Sequence, residues 1–167
     1  MLKKILPMLL LSTSLFSYEI QLIKPSQKQV KSPRAKIDRI ALPRNDSKEV
    51  VFDKDTGLTW QDNIDTQTIK KNRKDARQYC RGLVFAGYKD WYLPRVDELN
   101  SIVDKEKNNP AIRTGFKYIK SAHYWTSSPN LSYTKNALNI DFRSGETYHN
   151  AKKGICYVRC VRGNYKL

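Results

Sequence analysis

The side chains best suited to bind a ligand are cations in one segment of the chain. Lysines and arginines recur there at intervals of three and four, and they are Lys70, Arg73, Lys74, Arg77 and Arg81. At about 100° of rotation per residue, this spacing places them in one narrow stripe of a helix. Such a row suits sulfate or carboxylate groups along a polysaccharide, because arginine binds these groups with two parallel hydrogen bonds. The alternative is a solvated helix face without a ligand.

A second, weaker group of cations lies in the late turns of the chain. It consists of Arg143, Lys152 and Lys153, with His149 nearby. We predict that both groups contribute to a polyanion site, because clustered positive charge attracts polyanions.

Residues for catalysis or metal binding are scarce. The chain has 2 histidines, His123 and His149, and only Cys156 with His149 could be drawn as nucleophile and base. An unpaired cysteine in an exported protein is more often incidental than catalytic. Cys156, Cys160 and His149 also make a poor zinc site in an oxidising compartment. We therefore predict no catalytic residues, no metal and no cofactor.

The cysteine spacing restricts the possible disulfides. The chain has 3 cysteines, and Cys156 and Cys160 lie in one predicted strand. Four residues of extended chain span about 13 Å, whereas a disulfide requires Cα atoms within about 7 Å. Cys80 must then pair with one of the two. Strand periodicity leaves the choice open, since both cysteines face the same side.

The elements that position these groups indicate an α+β fold. A helix is predicted from Ile69 to Phe85, stopped by Gly87, and a shorter one from Val96 to Val103. The apolar positions of the first helix share one face and are Ala76, Tyr79, Cys80 and Leu83. A hairpin is predicted around residues 50–60, and three later strands are predicted at His123–Ser127, Ala137–Phe142 and Cys156–Arg162.

The N-terminal sequence indicates export. Residues 1–17 combine a basic start, a short apolar run and small polar residues, which is typical of a signal peptide and too short to span a bilayer. Residues 18–48 are predicted to be a basic tail, and residues 49–167 the ordered domain. We expect the protein in the periplasm, at the cell surface or secreted, with no transmembrane segment after cleavage.

Composition favours a folded domain with anionic partners. Hydrophobic residues make up 40% of the chain and the formal net charge is +15. For an exported protein, the natural polyanions are acidic polysaccharides, lipopolysaccharide, anionic membranes and stray nucleic acid, and the alternative is a basic soluble protein with no anionic partner. Acidic glycans are the leading hypothesis, because nucleic acid would be bound largely through nonspecific phosphate contacts.

Several motifs together resemble the Legionella collagen-like protein C-terminal domain family. They are TGLTWQ at residues 56–61, YC at 79–80, AGYKDWYLPRVDEL at 86–99, YWTSS at 124–128, IDF-x-x-G at 140–145 and VRCVRG at 158–163. The resemblance implies a C-type-lectin-like fold, with two helices packed on short antiparallel strands. It also implies that Cys80 pairs with Cys160, and it leaves Cys156 as an extra cysteine. The family occurs on exported bacterial proteins, including an adhesin that recognises host polysaccharide.

The signature residues of this resemblance are expected to be structural. Trp60, Trp91 and Trp125 are predicted to be core residues rather than sugar-stacking platforms. The charged signature residues are predicted to form ion pairs or to cap turns, and they are Asp90, Glu98, Asp141 and Arg159. The calcium-dependent sugar motifs of C-type lectins, EPN or QPD followed by WND, are absent.

We therefore predict a noncatalytic binding module that recognises acidic polysaccharide through its basic helix face. One alternative is a structural or protein-interaction domain of the envelope that binds another envelope protein. A further alternative is an enzyme, because the formylglycine-generating enzymes share the fold implied by the resemblance.

Overall fold

The computed structural model describes residues 41–165, which form a mixed α+β domain with two β-sheets. Its helices are α1 (Asp65–Thr68), α2 (Arg73–Gly82) and α3 (Val96–Asn100). Its strands are β1 (Arg44–Asn45), β2 (Val50–Asp53), β3 (Leu58–Gln61), β4 (Lys70–Lys71), β5 (His123–Pro129), β6 (Asn136–Asp141), β7 (Glu146–Ala151), β8 (Cys156–Tyr157) and β9 (Val161–Arg162). The predicted α+β class is confirmed.

The first sheet joins the two ends of the domain. Its order is β1-β2-β3-β9, and β3 pairs antiparallel with β9 through Trp60 and Val161. The predicted hairpin of β2 and β3 is confirmed, and Gly57 occupies its turn with φ of 72°. A positive φ is accessible to glycine at little steric cost, which explains the residue at this position.

The second sheet carries the longer strands in the order β4-β8-β5-β6-β7. It is antiparallel except between β5 and β8, which pair in parallel at Tyr124 and Tyr157. Strand β7 was not predicted. Its residues are mostly exposed at the sheet edge, so they show no alternation of apolar and polar positions.

Two apolar clusters form the core. One contains Leu99, Ile102 and Val103 from α3 and the segment after it, together with residues of β2, β3, β5, β6 and β9. The other contains Ala76 and Cys80 of α2 with residues of the second sheet. The helix α2 therefore buries the face predicted for it, and α3 ends earlier than predicted.

Ordered structure begins upstream of Glu49, where the sequence predicted the domain to start. Leu42 is buried, and its N–H donates to the Thr114 carbonyl at 2.7 Å. Arg44 pairs with β2 and forms an ion pair with Asp62 at 2.7 Å. These contacts are nonlocal, so local composition gave no sign of them. The predicted signal peptide and most of the predicted basic tail lie outside the described residues.

The helix α2 is shorter than predicted at both ends. Its first turn begins after Asn72, whose side chain accepts a hydrogen bond from the N–H of Asp75 at 3.0 Å. Lys70 and Lys71 instead pair with β8, so they cannot be helical. At the other end the helix stops at Gly82, and Gly87 lies in a separate turn closed by Phe85 and Tyr88.

The last predicted strand is two strands in two sheets. Strand β8 belongs to the second sheet and β9 to the first, and Val158, Arg159 and Cys160 cross between them. Cys160 forms the disulfide with Cys80, with Cα atoms 5.5 Å apart, and the predicted pairing is confirmed. The disulfide joins α2 to this crossing, while Cys156 is a buried free thiol.

Candidate functional site

A groove of about 860 Å³ lies beside α2 and is lined mainly by basic side chains. Its cations are Arg73, Lys74, Arg77, Arg81, Lys152 and Lys153, and Asn72 and Gln78 complete the lining. We call this feature the cationic groove. The structure thus brings together six of the cations that the sequence singled out, from two separate segments.

The fold holds the two sides of the cationic groove together. On one side, α2 is anchored by the buried Ala76 and by the Cys80–Cys160 disulfide. On the other side, the turn after β7 carries Lys152 and Lys153. The two sides are joined directly, because the N–H of Arg73 donates to the Lys152 carbonyl at 3.1 Å.

Lys70 does not belong to the cationic groove, contrary to the prediction. It lies in β4, where its Nζ is 4.8 Å from the centre of the Tyr157 ring. The predicted stripe included Lys70 because the helix was expected to begin at Ile69. In the structure Lys70 pairs with β8, and the helix begins at Arg73. A cation beside an aromatic face is a stable arrangement by itself and requires no ligand.

Arg143 is also separate from the cationic groove. Its guanidinium binds Asp141 at 2.8 Å and lies 3.1 Å from Nε2 of His123. Because Asp141 is only two residues away, the turn after β6 brings the two side chains into direct contact. Burial opposes ionisation of Asp141, but the hydrogen bonds from Arg143 lower the pKa of this carboxyl.

The groove cations have no acidic partners among the described residues. Within residues 41–165, no ion pair joins any of the six groove cations to a carboxylate. The arginines elsewhere in this part of the chain all have such a partner: Arg44, Arg95, Arg113, Arg143, Arg159 and Arg162. The groove therefore concentrates positive charge that the described domain does not neutralise.

The guanidinium of Arg73 is partly enclosed by the fold. Its guanidinium donates to the Ser127 carbonyl, and its buried Nε has no partner. Burial and the neighbouring charge of Arg77 both lower the pKa of Arg73. An anion bound beside the guanidinium would offset the repulsion by Arg77, because an opposite charge favours the charged form of arginine.

Two lining residues, Asn72 and Gln78, were not predicted. Asn72 could have been found as a helix cap, because asparagine before a helix commonly accepts a backbone N–H. Gln78 lies on the same helix face as Lys74 and Arg81, four residues after one and three before the other. A search for charge alone passes over both side chains.

The sequence model of the Lcl C-terminal domain matches residues 49–162. This match spans more than half of the chain. The chain belongs to the Lcl C-terminal domain family. No curated protein shows a significant match to it.

The tryptophans of this Lcl C-terminal domain are core residues, as predicted. Trp60 and Trp125 are fully buried, and Trp91 is almost so. The indole N–H of Trp125 donates to the Lys71 carbonyl at 2.8 Å, and that of Trp91 to the Phe85 carbonyl at 3.2 Å. These rings are not available for stacking on a sugar.

The charged signature residues of the Lcl C-terminal domain serve its structure, also as predicted. Asp90 pairs with Arg162 at 2.8 Å, and this hydrogen bond lowers the pKa of the carboxyl. Glu98 accepts the N–H of Arg95 at 2.7 Å and so caps α3. Arg159 is buried against Asp62 at 3.2 Å. Asp141, described above, is paired with Arg143.

Within residues 41–165, no hydrogen bond joins Cys156 to His149. The Asn150 amide lies 3.4 Å from the Cys156 Sγ, whereas His149 Nδ1 lies 2.9 Å from the Asn136 amide. Burial raises the pKa of the Cys156 thiol, although the Asn150 hydrogen bond lowers it. A raised pKa disfavours the nucleophilic thiolate.

The described residues show two further absences. Between residues 41 and 165, no group of three or more histidine, cysteine, aspartate or glutamate side chains could hold a metal ion. In the same part of the chain, no helix is long and apolar enough to cross a membrane.

Proposed function

We propose that this Lcl C-terminal domain is an exported, noncatalytic module that binds acidic polysaccharide in the cationic groove. The observation that carries the proposal is the contrast in arginine pairing. Among residues 41–165, Arg73, Arg77 and Arg81 have no carboxylate partner, whereas every arginine outside the groove has one. A fold that pairs its other arginines but concentrates three unpaired ones in a groove favours an external anion as their partner.

The groove geometry supports a chain-like ligand. Arg73, Arg77 and Arg81 follow one face of α2 at intervals of four residues, which corresponds to about 6 Å of helix rise per interval. A polymer with repeating sulfate or carboxylate groups can contact several of them at once. Lys152 and Lys153 add ammonium groups on the opposite side of the groove.

Affinity chromatography in two forms tests the proposal. The full chain is eluted with salt from immobilised heparin and, in parallel, from a sulfonate cation exchanger of similar charge density. We expect clearly later elution from heparin, because a shaped site gains from ligand geometry as well as from charge. The triple variant Arg73→Ala, Arg77→Ala, Arg81→Ala should lose this difference.

The matched control removes the same charge elsewhere. Lys54, Lys89 and Lys120 are exposed and do not line the groove. Their triple alanine variant should keep the difference between the two columns. Equal elution of the unmodified chain from both columns would refute the groove as a shaped site and would direct the search to an envelope protein partner.

The same proposal includes a C-type-lectin-like fold and export. The fold is supported by the motif resemblance and by a disulfide from the long helix to the C-terminal crossing. Export is supported by the signal-peptide pattern of residues 1–17. N-terminal sequencing of the protein recovered outside the cytoplasm tests it: a chain beginning at Tyr18 is the expected product, and recovery of the intact N-terminus in the cytoplasm would refute export.

A further inference from the structure

An exposed aromatic ring is adjacent in sequence to Thr134, whose carbonyl contacts the groove residue Lys152. Tyr133, in the loop between β5 and β6, is 62% exposed. One face of its ring stacks on His149, with ring centres 5.4 Å apart and planes inclined by 27°. A tyrosine at a loop tip that is both exposed and stacked offers its outer face to a ligand.

Local hydrogen bonds hold this ring in place. The side-chain oxygen of Asn130 accepts the N–H groups of Ser132 and Tyr133, each at 3.0 Å. The Tyr133 carbonyl accepts the N–H of Asn136 at 2.8 Å. The Asn136 amide also lies 2.9 Å from Nδ1 of His149, which fixes the ring on which Tyr133 stacks. The platform is therefore formed before any ligand binds, which lowers the entropy cost of binding.

Lys152 connects this platform to the cationic groove. Its Nζ donates to the Thr134 carbonyl at 2.5 Å, and its N–H donates to the Lys135 carbonyl at 3.0 Å. Its own carbonyl accepts the N–H of Arg73, the first residue of α2. Tyr133 is thus attached, through its loop, to the same residue that lines one side of the groove.

We propose that Tyr133 stacks on a sugar ring of the same polysaccharide whose acidic groups lie in the cationic groove. This inference rests on the proposed function and narrows the ligand class. The C–H face of a pyranose packs on an aromatic ring, while sulfate or carboxylate groups pair with Arg73 and Arg77. The site then selects acidic sugars over polyanions that lack sugar rings.

A comparison of two polyanions tests this selectivity. The full chain and its Tyr133→Ala variant are titrated with a heparin oligosaccharide and with inorganic polyphosphate of similar charge. We expect Tyr133→Ala to weaken heparin binding by roughly threefold to tenfold, the range typical of an aromatic contact. Polyphosphate binding should stay unchanged, since it has no ring to stack. The Tyr133→Phe variant should behave as the unmodified chain.

Leu131 provides the matched control. It is 87% exposed in the same loop but has no aromatic ring, so Leu131→Ala should leave both affinities unchanged. The inference is overturned if Tyr133→Ala does not change heparin affinity, or if it lowers the affinity for both polyanions equally.

The triple variant at Arg73, Arg77 and Arg81 separates the two proposals. It should weaken binding of both heparin and polyphosphate, because each depends on the groove charges. If it does so while Tyr133→Ala has no effect, the groove stands and the stacking inference fails. If the triple variant binds both polyanions normally, the proposed function itself fails.

Discussion

At the scale of single residues, pairing with carboxylates divides the described arginines into two kinds. Arg159 is fully buried and donates to the Gln61 carbonyl at 2.6 Å and to Asp62 at 3.2 Å. Its guanidinium also lies 4.7 Å from the centre of the Phe116 ring. Arg77 and Arg81, in contrast, line an open groove and form no ion pair in the described part of the chain. The first kind stabilises the fold, and the second is the kind that we propose binds a ligand.

Replacing Arg159 should destabilise the domain strongly. Arg159→Met leaves the Asp62 carboxylate buried with fewer partners, and we expect the free energy of unfolding to fall by about 3 kcal/mol. Arg95→Met is the control, because the Arg95–Asp97 pair is exposed and should contribute less than about 1 kcal/mol. Urea unfolding of both variants measures the difference. Equal losses would contradict a structural role for Arg159.

The ion pair between Arg143 and Asp141 should make the free energy of unfolding depend on pH. The carboxyl of Asp141 is buried, yet its pKa is lowered by Arg143 and by the nearby His123. A carboxyl with a lowered pKa in the folded state contributes stability above its unfolded pKa, about 3.9, and loses it as the pH falls through the folded value. Arg143→Gln should therefore be less stable than the unmodified chain at about pH 6, and the two should converge as the pH approaches about 2.

Denaturant unfolding at intervals across this range measures the convergence. A constant difference in the free energy of unfolding at every pH would show that Arg143 contributes packing only. The outcome also bears on Arg143 as a ligand-binding candidate, because an arginine whose charge stabilises Asp141 is already partnered inside the domain.

At the scale of elements, the sequence predicts the buried face of a helix better than it predicts the residues at which the helix begins and ends. The apolar spacing of Ala76 and Cys80 identifies the buried face of α2, because burial repeats every three or four residues regardless of where the helix stops. The start of α2 depends on the pairing of Lys70 and Lys71 with β8, which is more than eighty residues away. Such nonlocal pairing leaves no local pattern, so Lys70 was assigned to the wrong element.

Strands β7, β8 and β9 also could not be predicted correctly from local sequence patterns. Strand β7 was missed because it is a solvent-exposed edge whose polar residues lack the alternation of a half-buried strand. Strands β8 and β9 were merged because no glycine or proline marks the crossing between them, where the buried Arg159 pairs with Asp62. Pairing with strands distant in sequence places β8 and β9 in different sheets, whereas β7 was missed because it lacks a local pattern.

The disulfide between α2 and the sheet crossing should be a main stabilising link. We expect the Cys80→Ser, Cys160→Ser double variant to lose about 2–4 kcal/mol of unfolding free energy, because the disulfide closes a long loop in the unfolded chain. Urea unfolding of the unmodified chain with and without reductant should reproduce the same loss. Cys156→Ser is the control, and its loss should be smaller, since this buried thiol closes no loop.

A double variant no less stable than Cys156→Ser would contradict this assignment. The experiment also tests the groove, because Cys80 holds the helix that carries Arg77 and Arg81. Loss of the disulfide should weaken heparin binding along with stability.

At the scale of the whole molecule, the question is whether binding depends on total charge or on its position. The formal net charge of +15 could be read from the sequence, but the pairing of individual cations could not. Arg143 and Arg77 are equally basic in sequence, and only the fold shows that one is paired with Asp141 and the other lines the groove. Position within the fold therefore decides which cations can contact a ligand.

The salt dependence of binding distinguishes the two possibilities. Each cation that contacts a polyanion releases condensed counterions, and each such contact contributes roughly one unit to the slope of log affinity against log salt. We expect the groove triple variant at Arg73, Arg77 and Arg81 to reduce this slope for heparin by about two to three units. The control triple variant at Lys54, Lys89 and Lys120 carries the same loss of charge and should reduce it by less than about one. Isothermal titration at several salt concentrations measures both slopes. Equal reductions would mean that binding follows net charge alone, because a localised site requires the groove cations to release more counterions than cations elsewhere.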